Sequence, residues 1–152
     1  MSRFGEVVDR VRETLRLERQ ITDYYKNTGD RSTDEHAARI LHGIAERHAS
    51  HVERLDHLCD RLERAAGEGF FGELMESIGE ALSGMIATIP VMIVESGTDV
   101  TYDTLGRLEG TLAGRYEALE PLLDEEGRSI VAALAENCRH HMERLVELDP
   151  LS

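Results

Sequence analysis

Residues 45–55 read A-E-R-H-A-S-H-V-E-R-L, and residues 135–145 read A-E-N-C-R-H-H-M-E-R-L. Six of the eleven positions are identical, self-similarity that marks an internal repeat rather than shared composition. The match extends upstream: Asp34-Glu35 corresponds to Asp124-Glu125, and Ile40 to Ile130. Glu18, seven residues before Tyr25, is echoed by Glu109, seven residues before Tyr116. Each copy therefore holds a Glu, then a Tyr, then His51 or His141 on a later segment.

Periodicity around these landmarks predicts helices. Val7, Val11, Leu15, Glu18, Ile21 (or Thr22) and Tyr25 recur at i, i+3/i+4 spacing, so an amphipathic helix is expected over about 3–26. Asn27-Thr28-Gly29-Asp30 should end it, and Ser32-Thr33-Asp34-Glu35 reads as a capping box opening the next. That second helix reaches about residue 64, with Ile40, Leu41, Ile44, His48, His51, Val52, Leu55, Leu58 and Leu62 inward. The mixed stretch 70–94, interrupted by Gly72, Gly79 and Gly84, has the length of a crossover carrying a helix of its own. Ser96-Gly97-Thr98-Asp99 is the next cap. A third helix is expected over about 100–123 with Leu105, Leu108, Glu109, Leu112 and Tyr116 on one side. A fourth runs over about 125–148 with Ile130, Leu134, Cys138, His141, Met142 and Leu145 inward. No strand-like alternation of any length interrupts them. The expectation is a single all-α domain over 1–152, with repeat one at 3–66, a crossover at 67–98 and repeat two at 99–148. Two helical hairpins joined in this way make a four-helix bundle.

The bulk numbers narrow the function classes. With 17 basic and 30 acidic residues the net charge is 17 − 30 = −13, which repels phosphate backbones and anionic membrane surfaces, so no nucleic acid and no membrane are expected as partners. The N-terminal stretch has no apolar core of a secretory signal, and the longest apolar run, 81–94, has 14 residues and contains Pro90. A membrane span needs roughly 20. Two cysteines, Cys59 and Cys138, make no disulfide framework in a chain of 152 residues. A cytoplasmic location is expected.

Chemistry concentrates on six positions. Glu18 and Glu109 lie on otherwise apolar faces, where a carboxylate has to be paired, hydrogen-bonded or metal-bound, because desolvating it alone costs several kcal/mol. His48 and His51 are three residues apart and share a helix face, and Cys138 and His141 occupy the matching positions of the second copy. Folding the two hairpins together brings Glu18, His48, His51, Glu109, Cys138 and His141 to mid-bundle, and all six are metal-ligand types. Tyr25 and Tyr116 lie two turns beyond Glu18 and Glu109, where each hydroxyl can bond a ligating carboxylate or simply fill the core. Helical phase turns His36, His42, His57 and His140 away from this face. Cys59 reads as a buried structural thiol, and Met85 and Met92 as packing residues.

In these features the chain resembles the rubrerythrin branch of the ferritin-like superfamily. The family's half-repeat is a first-helix Glu, a Tyr seven residues on, and an Ala-Glu-x-x-x-x-His stretch whose Glu-x-x-His pair supplies ligands. Glu18, Tyr25 and A-E-R-H-A-S-H match the first half; Glu109, Tyr116 and A-E-N-C-R-H-H match the second. The resemblance covers all four helices but not the crossover. It implies a ferritin-like four-helix bundle, an iron centre with Glu18 and Glu109 as terminal ligands, oxidoreductase or metal-handling chemistry, and a homodimer. The chain also departs from the family: where the Glu of each Glu-x-x-His pair bridges two irons, it has His48 and Cys138. Three imidazoles, one thiolate and two carboxylates suit Zn²⁺, Cu or a single Fe better than a carboxylate-bridged pair. Rubrerythrins that carry their own electron source use a Cys-rich module; with only two cysteines here, peroxide or oxygen chemistry would draw on an external electron donor. The alternative is a non-catalytic structural or interaction bundle that has lost its metal, with His48 bonded to Glu18 or Glu109 and Cys138 filling the core.

Overall fold

The computed structural model describes residues 3–67 and 102–148 of the chain. Every regular element among them is helical: α1 (Arg3–Arg31), α2 (Glu35–Gly67), α3 (Tyr102–Leu119), a single 3-10 turn (Glu120–Leu122) and α4 (Glu125–Leu148). The crossover helix expected within 70–94, the cap at 96–99 and the start of the third helix at 100 lie outside the described residues. So do Met85 and Met92.

Each hairpin is an antiparallel pair, α1 on α2 and α3 on α4, and α2 lies against α4 to join the two. The apolar stripes read from the sequence face one another in a single core. Val7, Val11, Ile21 and Tyr25 of α1, Leu41, Leu55 and Leu58 of α2, Leu105, Leu112 and Tyr116 of α3, and Val131 and Leu134 of α4 are all withdrawn from solvent. Removing such stripes from water is the main force assembling helices of this kind, at about 1.5 to 3 kcal/mol per fully buried large side chain.

The two α-helices that follow a turn begin in the same way. Asp34 Oδ1 accepts the backbone N–H of His36 at 3.0 Å, and Asp124 Oδ1 accepts that of Gly127 at 2.8 Å. The cap of α2 is therefore Asp34, while the Ser32 hydroxyl donates to the Asp34 carbonyl at 3.2 Å instead of capping. Asp34 and Asp124 are equivalent in the repeat, so the duplication reaches the helix starts.

Two boundaries differ from expectation. The helix expected to stop before Asn27-Thr28-Gly29-Asp30 continues through that stretch to Arg31. Thr28 bonds back to the Tyr24 carbonyl at 2.8 Å, and Gly29 is buried so close to α2 that a Cβ would stand 2.6 Å from His42 Cδ2. The His42 ring also bonds Asp30 at 2.8 Å. Docking on α2 overrides the weak helix propensity of the segment. Conversely, α3 ends at Leu119, and the Pro121-containing turn Glu120–Leu122 separates it from α4, because proline lacks the N–H an α-helix would need there.

Candidate metal centre

Halfway along the bundle each helix contributes polar side chains to the apolar interior. Glu18 comes from α1, His48 and His51 from α2, Glu109 from α3, and Cys138 and His141 from α4. Five of the six have no solvent exposure, and His141 retains 3 %. The structure brings all six together: the His48 ring centroid is 5.0 Å from that of His51 and 5.0 Å from that of His141.

The ligand-type atoms fall into two groups, Glu18–His51–Cys138 and His48–Glu109–His141, each with one atom per residue within 4.8 Å of the others. The repeat converts one group into the other, since Glu18 corresponds to Glu109, His51 to His141 and Cys138 to His48. Each triad takes a Glu and a His from its own hairpin and its third member from the other. The tyrosines are exchanged in the same sense. Tyr25 donates to Glu109 Oε1 at 2.9 Å, and Tyr116 donates to Glu18 Oε1, so neither serves the carboxylate two turns away on its own helix.

His48 sits between the two carboxylates, with Nδ1 2.5 Å from Glu18 Oε2 and Nε2 2.6 Å from Glu109 Oε1. A carboxylate can only accept, so both ring nitrogens must donate and the ring is an imidazolium. Burial alone would lower its pKa, but the flanking Glu18 and Glu109 charges outweigh burial and hold it up at about 10. Burial likewise favours a neutral Glu18, yet the His48 charge and the His48 and His51 hydrogen bonds win and keep its carboxyl down at about 2. Glu109 is also held low, against burial, by His48 and His141. Tyr25 stacks on His48 at 5.4 Å between ring centroids.

The remaining members are arranged around this bridge. His51 Nδ1 is 3.1 Å from Glu18 Oε1, and its Nε2 faces the Asn137 side-chain amide at 3.2 Å. These partners assign the proton to Nδ1 and leave Nε2 to accept. His141 Nδ1 lies 3.3 Å from Glu109 Oε1 but without the alignment of a hydrogen bond, and Glu109 Oε2 has no hydrogen-bond partner. Burial pushes the His141 pKa down despite Glu109, with His48 and His51 adding to the effect. The Cys138 thiol is pushed well up by burial and by the charges of Glu109 and Glu18.

Two carboxylates set against one imidazolium leave one uncompensated negative charge in the interior. Together with the orphaned Glu109 oxygen and His141 nitrogen, that excess fits a cation better than a closed hydrogen-bond network. Nitrogen, sulfur and oxygen donors within this reach can hold a transition-metal ion.

Other positions behave as their helical phase predicts. His36, His57 and His140 are exposed, and Cys59 is buried. Sequence reasoning missed Asn137, which occupies the repeat position of Arg47 and carries no signal of its own. It also missed the buried contact between α1 and α3 in which Arg115 Nε donates to Thr14 Oγ1 at 2.8 Å. Among the described residues no helix is long and apolar enough to cross a membrane. The chain matches no family model, no curated protein and no solved structure.

Proposed function

We propose that this chain is a metal-binding, ferritin-like bundle related to the rubrerythrins, with transition-metal ions held by Glu18, His51 and Cys138 on one side and by His48, Glu109 and His141 on the other. The observation that carries this reading is the pair of buried triads related by the internal repeat and closed by excess negative charge. Two histidines and a carboxylate suit Fe²⁺, Zn²⁺ or Cu²⁺, whereas the thiolate of the other triad favours softer ions such as Zn²⁺ or Cu⁺. Iron is the metal of the family it resembles. When bound, the metal would supply Lewis-acid or one-electron redox chemistry.

The protein's own residues then do two things. Tyr25 and Tyr116 fix the rotamers of Glu109 and Glu18 through their hydroxyls. Cys138 and His48 are fully buried, Cys138 within the apolar core. His48 carries a proton on each nitrogen and must surrender one before that nitrogen can coordinate, and Cys138 must lose its own, so metal uptake releases protons. An oxidoreductase or metal-handling role, an external electron donor and a homodimer complete the proposal by resemblance.

Reconstitution with Fe²⁺, Zn²⁺ and Cu²⁺ followed by dialysis tests it. Up to two ions per chain are expected, one per triad, with a raised melting temperature that a His51→Ala/His141→Ala variant does not show. Metal content near zero for all three ions would overturn the reading. The competing reading, a structural bundle without metal, draws support from His48, which by itself satisfies one oxygen of each carboxylate. It predicts that the double variant melts close to the unsubstituted protein and that no ion shifts either.

A further inference from the structure

Where α2 and α4 approach at their far ends, Leu58 lies against Gly127 and Arg61 pairs with Asp124. At the opposite end of the contact the two helices leave a cleft of about 420 Å³, within the range of pockets that hold small organic ligands. Its charged lining is entirely basic. Arg39 and Arg47 from α2 and Arg144 from α4 surround it, with His36 and His140 beside them and no carboxylate among the lining residues. With 30 acidic residues among 152, about two of the cleft's ten lining residues would be acidic on average, and none is.

The arginines are available. Arg39 and Arg47 make no ion pair with a described residue, and Arg144 has only a long contact of 3.8 Å to exposed Glu147. They lie eight residues apart on one face of α2, and Gly43 midway between them opens the wall, since a Cβ there would meet nothing within 4 Å. Ile40 and Ile44 give the cleft an apolar side.

The cleft leads inward to the polar cluster. His141, the member of the six that retains any solvent contact, forms part of its lining, and so does Asn137, whose amide bonds His51. We propose that this cleft is a binding site for a small oxyanion-bearing organic molecule, its carboxylate or phosphate held by Arg39, Arg47 and Arg144 and its body laid along Ile40 and Ile44 toward His141. Guanidinium forks match such oxyanions bidentately, which is why arginine rather than lysine suits the task. The anion site stands on the cleft alone; its use as the substrate entrance of the metal centre rests on the function proposed above.

The full chain, free of metal and labelled with ¹⁵N, is titrated at constant ionic strength with succinate and, separately, with inorganic phosphate. Saturable amide shifts confined to 36–47 and 137–144 are expected with at least one of them, succinate alone assigning carboxylates and phosphate alone assigning phosphate esters. Arg39→Gln/Arg47→Gln should weaken binding by about tenfold or more, as loss of charge-assisted contacts requires. Arg16→Gln/Arg19→Gln, the same charge change on exposed α1 positions, should leave it unaltered. Gly43→Leu, which fills the cleft without changing charge, should abolish it in a protein whose circular dichroism melt is intact. No saturation by either anion, or equal weakening by the two arginine pairs, overturns the anion site. Repeating the titration on metal-loaded protein separates the readings: binding that persists without any effect on the metal's spectrum retains the anion site and removes its link to the metal.

Discussion

His48 balances two buried carboxylates with a single positive charge, and its loss should be correspondingly severe. In His48→Leu, Glu18 and Glu109 would keep their burial and lose their shared cation. Breaking a buried ion pair from one side costs about 3 to 5 kcal/mol, so urea unfolding of metal-free protein should show a loss of that order. His57→Leu is the comparison: its contact to Glu126 is 3.7 Å and both side chains are largely exposed, so a change within about 0.5 kcal/mol is expected. A His48→Leu protein as stable as the parent would show that the bridge does not form. The positions of the six polar residues were legible because each interrupts an apolar stripe at helical spacing. Their partners were not. That Tyr25 serves Glu109 and Tyr116 serves Glu18 depends on how far one hairpin slides along the other, which periodicity within a helix does not encode. Asn137 was invisible for the same reason, since a lone amide between Glu136 and Cys138 has no pattern to break.

At the level of elements, two repeat-related aspartates cap their helices but differ in what else they hold. Asp124 also receives the Arg61 guanidinium from α2, whereas among the described residues the Asp34 side chain bonds only the His36 backbone N–H. Asp34→Ala should therefore cost about 1 kcal/mol, the usual loss of an N-cap. Asp124→Ala should cost about 2 kcal/mol, because it also removes one of the two carboxylates, Asp124 and Glu126, that pair with partly buried Arg61. Equal losses in chemical denaturation would mean that the Arg61 contact contributes nothing. Four helices and their inward faces were readable from i, i+3/i+4 spacing alone. The true end of α1 was not, because Thr28, Gly29 and Asp30 are poor helix residues retained by contacts with His42 on another element. Local propensity is a weak signal wherever a neighbouring helix fills the space.

Across the whole molecule, the buried charges make stability depend on pH from both sides. Glu18 falls from an ordinary 4.5 to about 2 on folding, so its contribution is present above 4.5 and fades as pH drops toward 2. His48 rises from 6.5 to about 10, so its contribution is complete below 6.5 and fades as pH climbs toward 10. His141, whose pKa burial lowers from 6.5, withdraws stability as pH falls below that value. Metal-free protein should thus be most stable near pH 6.5, with a decline between 6.5 and 9 that His48→Leu lacks. Unfolding free energies measured across this range would show no slope between pH 6.5 and 9, below the onset of thiol ionisation, if the bridge were neutral. The reciprocal assembly of the triads has a historical corollary. A lone ancestral hairpin bearing one glutamate and one histidine-rich helix would own two corners of a coordination triangle and no third. Pairing with a second copy would supply the missing corner to both at once. Duplication and fusion of such a hairpin would leave the halves free to diverge, one with an imidazole at the borrowed corner and the other with a thiol.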